Sequence, residues 1–505
     1  MRIPLDRDNK LPLYQQIKRY LTEEINSNAL PPGTKLPSTR ELALDLGVNR
    51  ITVANAFAEL EAQGLVYSRL GSGTYVSSPP EPIHSCRQDE VASSSWPLWQ
   101  KAISRQSVLP TELERERIGI QPSLSEYNQE SDGLISFAGG HGAVELFPAD
   151  DFRKSLQTVL LRDKTDALGY GDYAGYPPLR GTIAHILSNQ GIHTSPSNVL
   201  ITTGSQQAFA LVAGLLLRSG DAVLVENPTY ATAIDLINSL GAQLVGVPMD
   251  EQGVRVDLME DLLRTVHPKL IYTIPSFQNP TGACLSGARR RQLVALAERY
   301  NVPILEDEFV GDLRYEGRAQ PALKALDPGG YVIYTGTFSK MLMPGLRVGY
   351  LVANGPVYDR LLAWKHITDL ATSNLIQRAL EAYITVGRYE AHLHRARRTY
   401  RMRRDAMIAA LRHYLPPETS WSTPQGGLFL WLRLPEGISI KELYPTAIEE
   451  KVDFTPGSLF YPDEKSYDHI RLNFVVHNPE VAEEGIRRLG IAIGRCMGKQ
   501  KEMKK

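Results

Sequence analysis

The stretch that decides the fold is GTFSKMLMPGLRVGY, residues 336–350. It places Lys340 between a serine and a glycine-containing turn, with Arg347 seven residues further on. A lysine amine forms a Schiff base with a carbonyl compound, and the planar fork of an arginine pairs with phosphate through two hydrogen bonds. The spacing therefore indicates a site for a cofactor that carries both an aldehyde and a phosphate.

Other polar residues follow short apolar runs at several points along the chain. Thr203-Gly204-Ser205-Gln206 lies between the run VLIT and a helical pattern. Backbone N–H groups and the Ser205 hydroxyl are therefore expected to hold a phosphate at a helix N-terminus. Tyr230, in ENPTY, can stack on the ring of a bound cofactor. Taken alone, each of these residues would indicate only a turn or ordinary packing.

Three more residues complete the predicted site. Asn279 of NPTG can donate to a phenolate oxygen, and Asp307 of PILEDEF can keep a pyridine nitrogen protonated, which makes the ring an electron sink. Arg471 of IRLNF can bind a carboxylate through its fork. A single Asp or Asn has ordinary structural interpretations, and the ordered set favours a cofactor site.

From about residue 134 onward, strand-like runs alternate with amphipathic helices, which indicates an α/β fold with a mostly parallel sheet. We expect a large sheet domain and a smaller C-terminal α+β part that begins near residue 360. The runs are NVLITT, AVLVEN, QLVGVPM, LIYTIPSF, PILEDEF and VIYTGTFS.

In this order the motifs resemble those of the fold type I aminotransferases, specifically the 2-aminoadipate/kynurenine-like group. The resemblance covers residues 134–495 and implies pyridoxal 5'-phosphate as the cofactor. It also implies Lys340, Asp307 and Asn279 as the catalytic set and Arg471 as the site of the substrate or effector carboxylate. The implied cofactor contacts are Lys340 for the aldehyde, Asp307 for the pyridine nitrogen, Asn279 for the phenolate oxygen, Tyr230 for stacking, and Ser205, Gln206, Thr337 and Arg347 for the phosphate.

Two further positions bear on that resemblance. The segment YGDYAG resembles one in which a tyrosine reaches the phosphate of the neighbouring subunit, so Tyr170 is the candidate. Two residues after the aspartate, relatives commonly carry a tyrosine whose hydroxyl bonds the phenolate oxygen, and here that position is Phe309. Loss of this donor puts turnover in doubt more than cofactor binding.

Residues 1–78 have a different pattern. Ser38-Thr-Arg-Glu41 reads as a capping box ahead of a short helix that stops at Gly47. The next helix, RITVANAFAELEAQ, buries one face, while Arg50, Thr52 and Asn55 lie on other faces, as in a helix that enters the major groove. A glycine-tipped hairpin, LVYSRLGSGTYV, follows.

The run KLPSTRELALDLGVNRITVANAF resembles the GntR-type winged helix. The resemblance implies DNA binding and names Arg40, Asn49, Arg50 and Thr52 as contacts, with Gly73 in the wing. Many relatives have an arginine after the TV pair where this chain has Ala54, so one contact is expected to be missing. The alternative is a degenerate interaction module in which Arg40 and Arg50 are merely solvated.

Composition limits the remaining possibilities. The 505 residues carry 55 Lys+Arg and 56 Asp+Glu, a net charge of −1, which excludes a polybasic protein that holds DNA by bulk charge. Three scattered cysteines (Cys86, Cys284 and Cys496) predict neither disulfides nor a metal site. With no signal-peptide pattern or long apolar run, we expect a cytoplasmic protein. Residues 79–133 read as a linker with one short helix around ELERERI, residues 112–118, and residues 496–505 read as a basic tail.

A GntR-type winged helix joined to an aminotransferase-like domain resembles the MocR-type regulators. The resemblance implies a homodimeric transcription factor whose partners are an operator in double-stranded DNA and a small amino-compound effector. The competing hypothesis is a working aminotransferase with an accessory winged helix, so enzyme activity stays open. A third possibility is that pyridoxal phosphate itself is the signal.

Overall fold

The computed structural model describes residues 3–7, 11–27, 29–62, 65–69, 73–77, 109–120, 133–462 and 466–503. The chain divides into two compact units, Met1–Gln106 and Ser107–Lys505, and each is considered by itself. Much of the predicted linker, including Cys86, lies outside the described residues. Within the predicted linker, Pro110–Ile118 is a helix that belongs to the second unit.

Among its described residues, the first unit combines three helices with a two-stranded antiparallel hairpin. The expected capping box is present: the Glu41 N–H donates to Ser38 Oγ at 3.2 Å, and the Ser38 N–H donates to a Glu41 carboxylate oxygen at 2.9 Å. These bonds satisfy two of the donors that a helix start leaves without partners. The elements are Leu13–Asn26, Thr39–Leu46, Arg50–Ala62, Val66–Arg69 and Gly73–Val76.

The helix Arg50–Ala62 carries much of this unit's core. Val53, Ala56 and Leu60 have no exposed surface, and Phe57 is also buried. Burial of one large apolar side chain stabilises a fold by about 1.5–3 kcal/mol, so this face holds the helix against its neighbours. The opposite face remains in solvent.

The second unit is built on a mixed sheet that is mostly parallel. Within the described residues, Gly349–Val352 and Gly253–Val254 are the strands that run in the direction opposite to the others. Its central strands are buried on both faces, as expected where helices cover a sheet on both sides. The strand order is Val199–Thr202, Gly349–Val352, Val332–Thr337, Ile304–Glu308, Leu270–Thr273, Ala222–Asn227, Gln243–Asp250 and Gly253–Val254.

A smaller antiparallel sheet lies in the C-terminal part of this unit. Its strands, in order, are Ser420–Trp421, Phe429–Arg433, His469–Asn473 and Thr455–Pro456. Nearby, Ile135–Ser136 pairs in parallel with Val452–Asp453, so the beginning of this unit contributes to its C-terminal part.

Helices surround both sheets of the second unit. Among the described residues, no helix has the combination of length and apolar character that crossing a membrane requires. The helix bounds are Pro110–Ile118, Ala149–Asp163, Pro177–Asn189, Ser205–Leu216, Ala231–Ser239, Val256–Val266, Gly287–Tyr300, Pro356–Asp369, Asn374–Thr385, Arg388–Tyr414, Ile440–Glu449 and Pro479–Met503.

Parallel strands end at a common edge of a sheet, and in open α/β sheets this edge is where ligands bind. Here the polar residues singled out in the sequence lie at the carboxyl ends of five strands or in the loops that follow them; the strands are Val199–Thr202, Ala222–Asn227, Leu270–Thr273, Ile304–Glu308 and Val332–Thr337. The topology thus explains how residues up to 135 positions apart reach one site.

Candidate functional site

A cavity of about 530 Å³ opens at this edge of the sheet. It lies between the large sheet and the smaller antiparallel sheet. Six of the predicted site residues line it: Ser205, Tyr230, Asn279, Asp307, Lys340 and Arg471.

Lys340 is half-buried in the turn that follows the strand Val332–Thr337. A methyl group placed at Gly140 would lie 3.8 Å from the Lys340 Nζ atom, so the glycine leaves space beside the amine. An amine at a cavity wall with open space next to it can react with a carbonyl group in that cavity.

Asp307 is held by a residue that the sequence analysis missed. The Tyr272 hydroxyl donates to Asp307 Oδ2 at 2.9 Å, while Asp307 Oδ1 is buried and has no hydrogen-bond partner among the described residues. Burial raises the pKa of Asp307 to about 6, and the Tyr272 bond acts in the opposite direction. Tyr272 is itself fixed by parallel stacking on Phe209, with ring centroids 4.6 Å apart.

Arg471 and Asn279 are joined directly. Arg471 Nη1 donates to Asn279 Oδ1 at 2.9 Å, and Nη2 donates to the Ala138 carbonyl at 2.9 Å and to Thr455 Oγ1 at 3.1 Å. The guanidinium also lies over the Phe429 ring, 4.0 Å from its centroid. Because Asn279 Oδ1 accepts from the arginine, the amide nitrogen of Asn279 is the atom that can donate to a ligand.

Of the four predicted phosphate contacts, Ser205 lines the cavity and the other three do not. Ser205 begins the helix Ser205–Leu216 after Gly204, whose φ of +118° favours glycine, and a methyl group on Gly204 would come within 3.0 Å of an Arg347 nitrogen. Arg347 is exposed and is not among the cavity residues. Gln206 and Thr337 also lie outside the cavity wall; the buried Thr337 hydroxyl contacts the Val348 carbonyl at 3.4 Å.

The remaining sequence-predicted positions fall in two places. Tyr230 lines the cavity, and Phe309 also lines it, with its ring 6.3 Å from that of Phe429. Tyr170 is 89% exposed and does not line the cavity of its own chain.

A buried carboxylate connects two of the loops that form the site. Glu226 accepts from Thr273 Oγ1 at 2.5 Å and from Gln278 Nε2 at 3.0 Å, and Gln278 Nε2 also donates to the Pro228 carbonyl at 2.8 Å. Burial raises the pKa of Glu226 to about 7. The network ties the loop that leads to Tyr230 to the residue before Asn279.

One wall of the cavity comes from the helix Pro110–Ile118, which we call the pocket helix. Arg115 on this helix, and Gly119 and Ile120 just after it, line the cavity. The Thr111 N–H donates to Asp235 at 3.1 Å, and the Tyr467 hydroxyl donates to the buried Glu114 at 3.3 Å. A short helix was predicted here within the linker, but no role in the cavity was predicted for its residues.

Other contributors were also missed. Tyr272 stands within an ordinary strand pattern, and only the pairing of Leu270–Thr273 with Ile304–Glu308 brings its hydroxyl to Asp307. Phe429, Thr455 and Phe460 line the cavity from the smaller sheet and the loop beside it, and no local motif marks them. A register prediction for the parallel strands would have been the only signal for Tyr272.

In the first unit, the predicted DNA contacts surround the start of Arg50–Ala62. Arg40 and Arg50 are exposed, and Arg50 Nε lies 3.4 Å from Thr39 Oγ1. Asn49 Oδ1 accepts from the Ile51 N–H at 3.0 Å, so this side chain also caps the helix. Thr52 is half-buried.

Gly73, in the wing, has a φ of +124°, and a methyl group there would come within 2.9 Å of Lys35 Cε. The glycine therefore makes room for a lysine side chain, which is a structural reason for it in addition to any approach to DNA.

The pocket fits pyridoxal phosphate on its own geometry. A protonated ring nitrogen needs a carboxylate oxygen with spare capacity, and Asp307 Oδ1 is buried without a partner at the cavity wall. A phenolate oxygen needs a donor, which the Asn279 amide provides. A phosphate needs a helix start, which Ser205 supplies beside Arg347.

Comparisons with known proteins agree with both halves of this description. Residues 140–489 match the family described as aminotransferase class I and II, and residues 13–76 match the bacterial regulatory proteins of the gntR family. The chain belongs to the GntR-type transcriptional regulators that carry an aminotransferase class I and II domain, a family that uses pyridoxal 5'-phosphate.

The relatives define that membership further. The chain is 30% identical to the probable rhizopine catabolism regulatory protein MocR of Rhizobium meliloti, over 96% of this chain and 94% of the relative. It is 33% identical to the uncharacterized HTH-type transcriptional regulator YdfD of Bacillus subtilis, over 96% and 97% of the two chains. The expected MocR-type architecture is confirmed.

A solved structure supports the second unit. The α-aminoadipate aminotransferase of Thermus thermophilus, in complex with N-(5'-phosphopyridoxyl)-L-leucine, has 34% identity and a TM-score of 0.70. The similarity covers 79% of this chain and 99% of that one. The expected fold type I aminotransferase fold is therefore confirmed.

Proposed function

We propose that this regulator binds pyridoxal phosphate through Lys340 and an amino compound through Arg471, and that occupancy of the pocket changes DNA binding by the winged helix. The observation that carries the proposal is the shared cavity wall. The Lys340 amine and the Arg471 guanidinium both border this cavity, and bonds to Asn279 and Ala138 hold the guanidinium. A fixed guanidinium near a reactive amine is suited to an amino acid carboxylate.

Bound in this pocket, pyridoxal phosphate supplies a carbonyl that condenses with amines and a ring that withdraws electrons. Asp307 Oδ1 would accept the pyridine N–H, and the Asn279 amide would donate to the phenolate oxygen. Tyr230 would stack on the ring. Ser205, Gln206, Thr337 and Arg347 remain the proposed phosphate contacts, with the helix N-terminus at Ser205 as the electrostatic reason.

Arg471 would orient the amino compound by its carboxylate, so that its amino group points toward Lys340. Lys340 Nζ would hold or give up a proton as that amine approaches. The aromatic rings of Phe429 and Phe460, 4.0 and 5.0 Å from the guanidinium, limit the access of water to the ion pair.

The proposal includes a homodimer. Apolar side chains on one part of the second unit stay in solvent: Leu168 is 68% exposed, Tyr170 89% and Ile367 71%. Tyr173 packs on His366, with ring centroids 3.9 Å apart, which links the loop after residue 167 to the helix that carries Ile367. A second copy covering this surface would bury it and bring Tyr170 toward the partner's phosphate.

The pocket helix is the element through which ligand binding would affect the winged helix. It follows, in sequence, the segment that leads from the winged helix, and it contributes Arg115, Gly119 and Ile120 to the cavity. A ligand that contacts these residues would stabilise the helix in its docked position and so act on the connection to the first unit. Because its partner is cellular DNA, we propose that the protein acts in the cytoplasm.

A second candidate function is transamination. Lys340, Asp307 and Asn279 border one cavity, which is the residue set that such chemistry needs. Against it, Phe309 lines the cavity without a hydroxyl, so the phenolate oxygen has one donor fewer.

The deciding experiment is the absorption spectrum of the full-length protein with bound cofactor during titration with a panel of amino acids, followed by a keto acid. A band that shifts and then holds steady supports the sensor. Repeated bleaching to the pyridoxamine form and recovery with keto acid would establish a working aminotransferase. Titration of DNA binding with pyridoxal phosphate alone tests whether the cofactor is itself the signal.

A further inference from the structure

The helix Arg50–Ala62 carries a row of exposed side chains on the side away from the core of the first unit. Its inner face is buried at Val53, Ala56, Phe57 and Leu60. Four of the exposed positions on the other side, Ile51, Ala54, Asn55 and Ala58, are spaced three and four residues apart and form one row along the helix.

Ile51 stands out in this row because it is a large aliphatic side chain that is 67% exposed in the first turn of the helix. Its backbone N–H is occupied, since it donates to Asn49 Oδ1 at 3.0 Å, and the side chain projects outward. Water is a poor environment for such a side chain, and a partner that covers it would gain by the hydrophobic effect.

Asn55 lies one turn further along the same row and is also exposed. Side chains at i and i+4 are about 5–6 Å apart at their Cβ atoms, a separation that reaches neighbouring base pairs in a major groove. Ala54 and Ala58 flank this pair with single methyl groups, so the helix can approach the base edges closely.

The chemistry of the pair points to one kind of base sequence. An asparagine amide matches the N6 and N7 atoms of adenine, and an aliphatic side chain contacts the C5 methyl of thymine. An arginine row would favour guanine instead, but at these four positions the chain carries none. Arg50, whose Nε lies 3.4 Å from Thr39 Oγ1, is beside the row and is better placed for phosphate.

We propose that Ile51 and Asn55 determine the operator specificity of this regulator. Ile51 contacts the methyl group of a thymine, and Asn55 pairs with an adenine one or two base pairs away in the same half-site. The inference rests on DNA binding by the winged helix and is independent of the effector.

The test begins with selection of bound sequences from a random duplex library by the full-length protein with cofactor. Ile51→Ser and Asn55→Ala are compared with the wild type and with Leu44→Ser. Leu44 is a matched control, since it is an aliphatic residue, 76% exposed, on the preceding helix. All the altered side chains lie in solvent, and thermal unfolding checks that each variant is folded.

We expect the wild type and Leu44→Ser to select the same sequence with A·T pairs in each half-site. Replacement of the contacted thymine by uracil, which removes one methyl group, should weaken wild-type binding about three- to fivefold and leave Ile51→Ser unaffected. Asn55→Ala should lose about five- to hundredfold in discrimination at the adenine.

The outcomes distinguish base discrimination by Ile51 and Asn55 from DNA binding by the winged helix. If the wild type selects a sequence but Ile51→Ser and Asn55→Ala select it with unchanged discrimination, this inference is overturned while DNA binding stands. If the wild type selects no sequence, sequence-specific DNA binding by the winged helix fails, and the inference fails with it.

Discussion

The cavity of the second unit and the outer row of the helix Arg50–Ala62 hold their functional side chains in opposite ways. In the cavity, Arg471 and Asp307 are buried and bonded to named neighbours before any ligand arrives. On the helix, Ile51 is 67% exposed, and the contact of Arg50 with Thr39 is long, at 3.4 Å. The cavity is preorganised for a small molecule, whereas few contacts within the first unit hold the exposed side chains of the helix.

The largest effect should come from Lys340→Ala. Removal of the amine abolishes covalent attachment of the cofactor, so the cofactor absorption band of the bound state should be lost and the response of DNA binding to amino compounds should disappear. Lys154→Ala, at an exposed position of the helix Ala149–Asp163, is the control and should leave both unchanged. If DNA binding by Lys340→Ala still responded to amino compounds, the cavity would have no part in regulation.

Arg471→Met should have the next largest effect. The substitution removes the donor that reaches Asn279, Ala138 and Thr455 and the site of the ligand carboxylate. Loss of a charged hydrogen bond costs about 1.5–3 kcal/mol, so ligand affinity in spectral titrations should fall about 10- to 150-fold. Arg433→Met, on the neighbouring strand and 65% exposed, should bind normally. Equal losses in both variants would contradict carboxylate recognition by Arg471.

Tyr272→Phe tests whether the hydroxyl bond to Asp307 prepares the cavity for the cofactor. Asp307 has a pKa of about 6, and its charged form is the one that pairs with a protonated pyridine. Cofactor affinity should therefore fall as the pH drops through about 6, and loss of the Tyr272 bond should move that midpoint upward. Affinity at pH 8 should change little. Fluorescence titrations with pyridoxal phosphate between pH 5 and pH 8 measure the midpoint.

The control for that experiment is Tyr383→Phe, which removes a buried hydroxyl that has no hydrogen-bond partner among the described residues. An unchanged midpoint in Tyr272→Phe would mean that the bond does not tune Asp307. In the cofactor-free protein, the raised pKa has a second consequence. The stability contributed by protonated Asp307 is fully present below about pH 4 and is lost as the pH rises through about 6.

The smallest effect concerns the first unit alone. Ser38→Ala removes the N-cap that accepts from Glu41 at 3.2 Å, and loss of such a cap costs about 1 kcal/mol. Hydrogen exchange in Thr39–Leu46 should become about fivefold faster, while cofactor binding by the second unit stays the same. A change in cofactor affinity would mean that the two halves are energetically coupled even without DNA.

Much of this molecule could be predicted from local patterns. The capping box at Ser38, the buried face at Val53 and Phe57, and the motif around Lys340 each lie within one short stretch of chain. Their chemistry follows from residue type and spacing, so the sequence was sufficient for both domain classes. Arg471 was also predicted, because its strand motif resembles one in a known family.

Only the tertiary structure decided which side chains meet. The Tyr272 bond to Asp307 depends on strand register, and the Arg471 bond to Asn279 joins the smaller sheet to a loop of the larger one across 192 positions of sequence. The pocket helix was assigned to a linker because its own residues carry no sign of the cavity they border. Short-range patterns are determined by the local chain, whereas long-range contacts depend on how whole elements pack, and no local stretch contains that information.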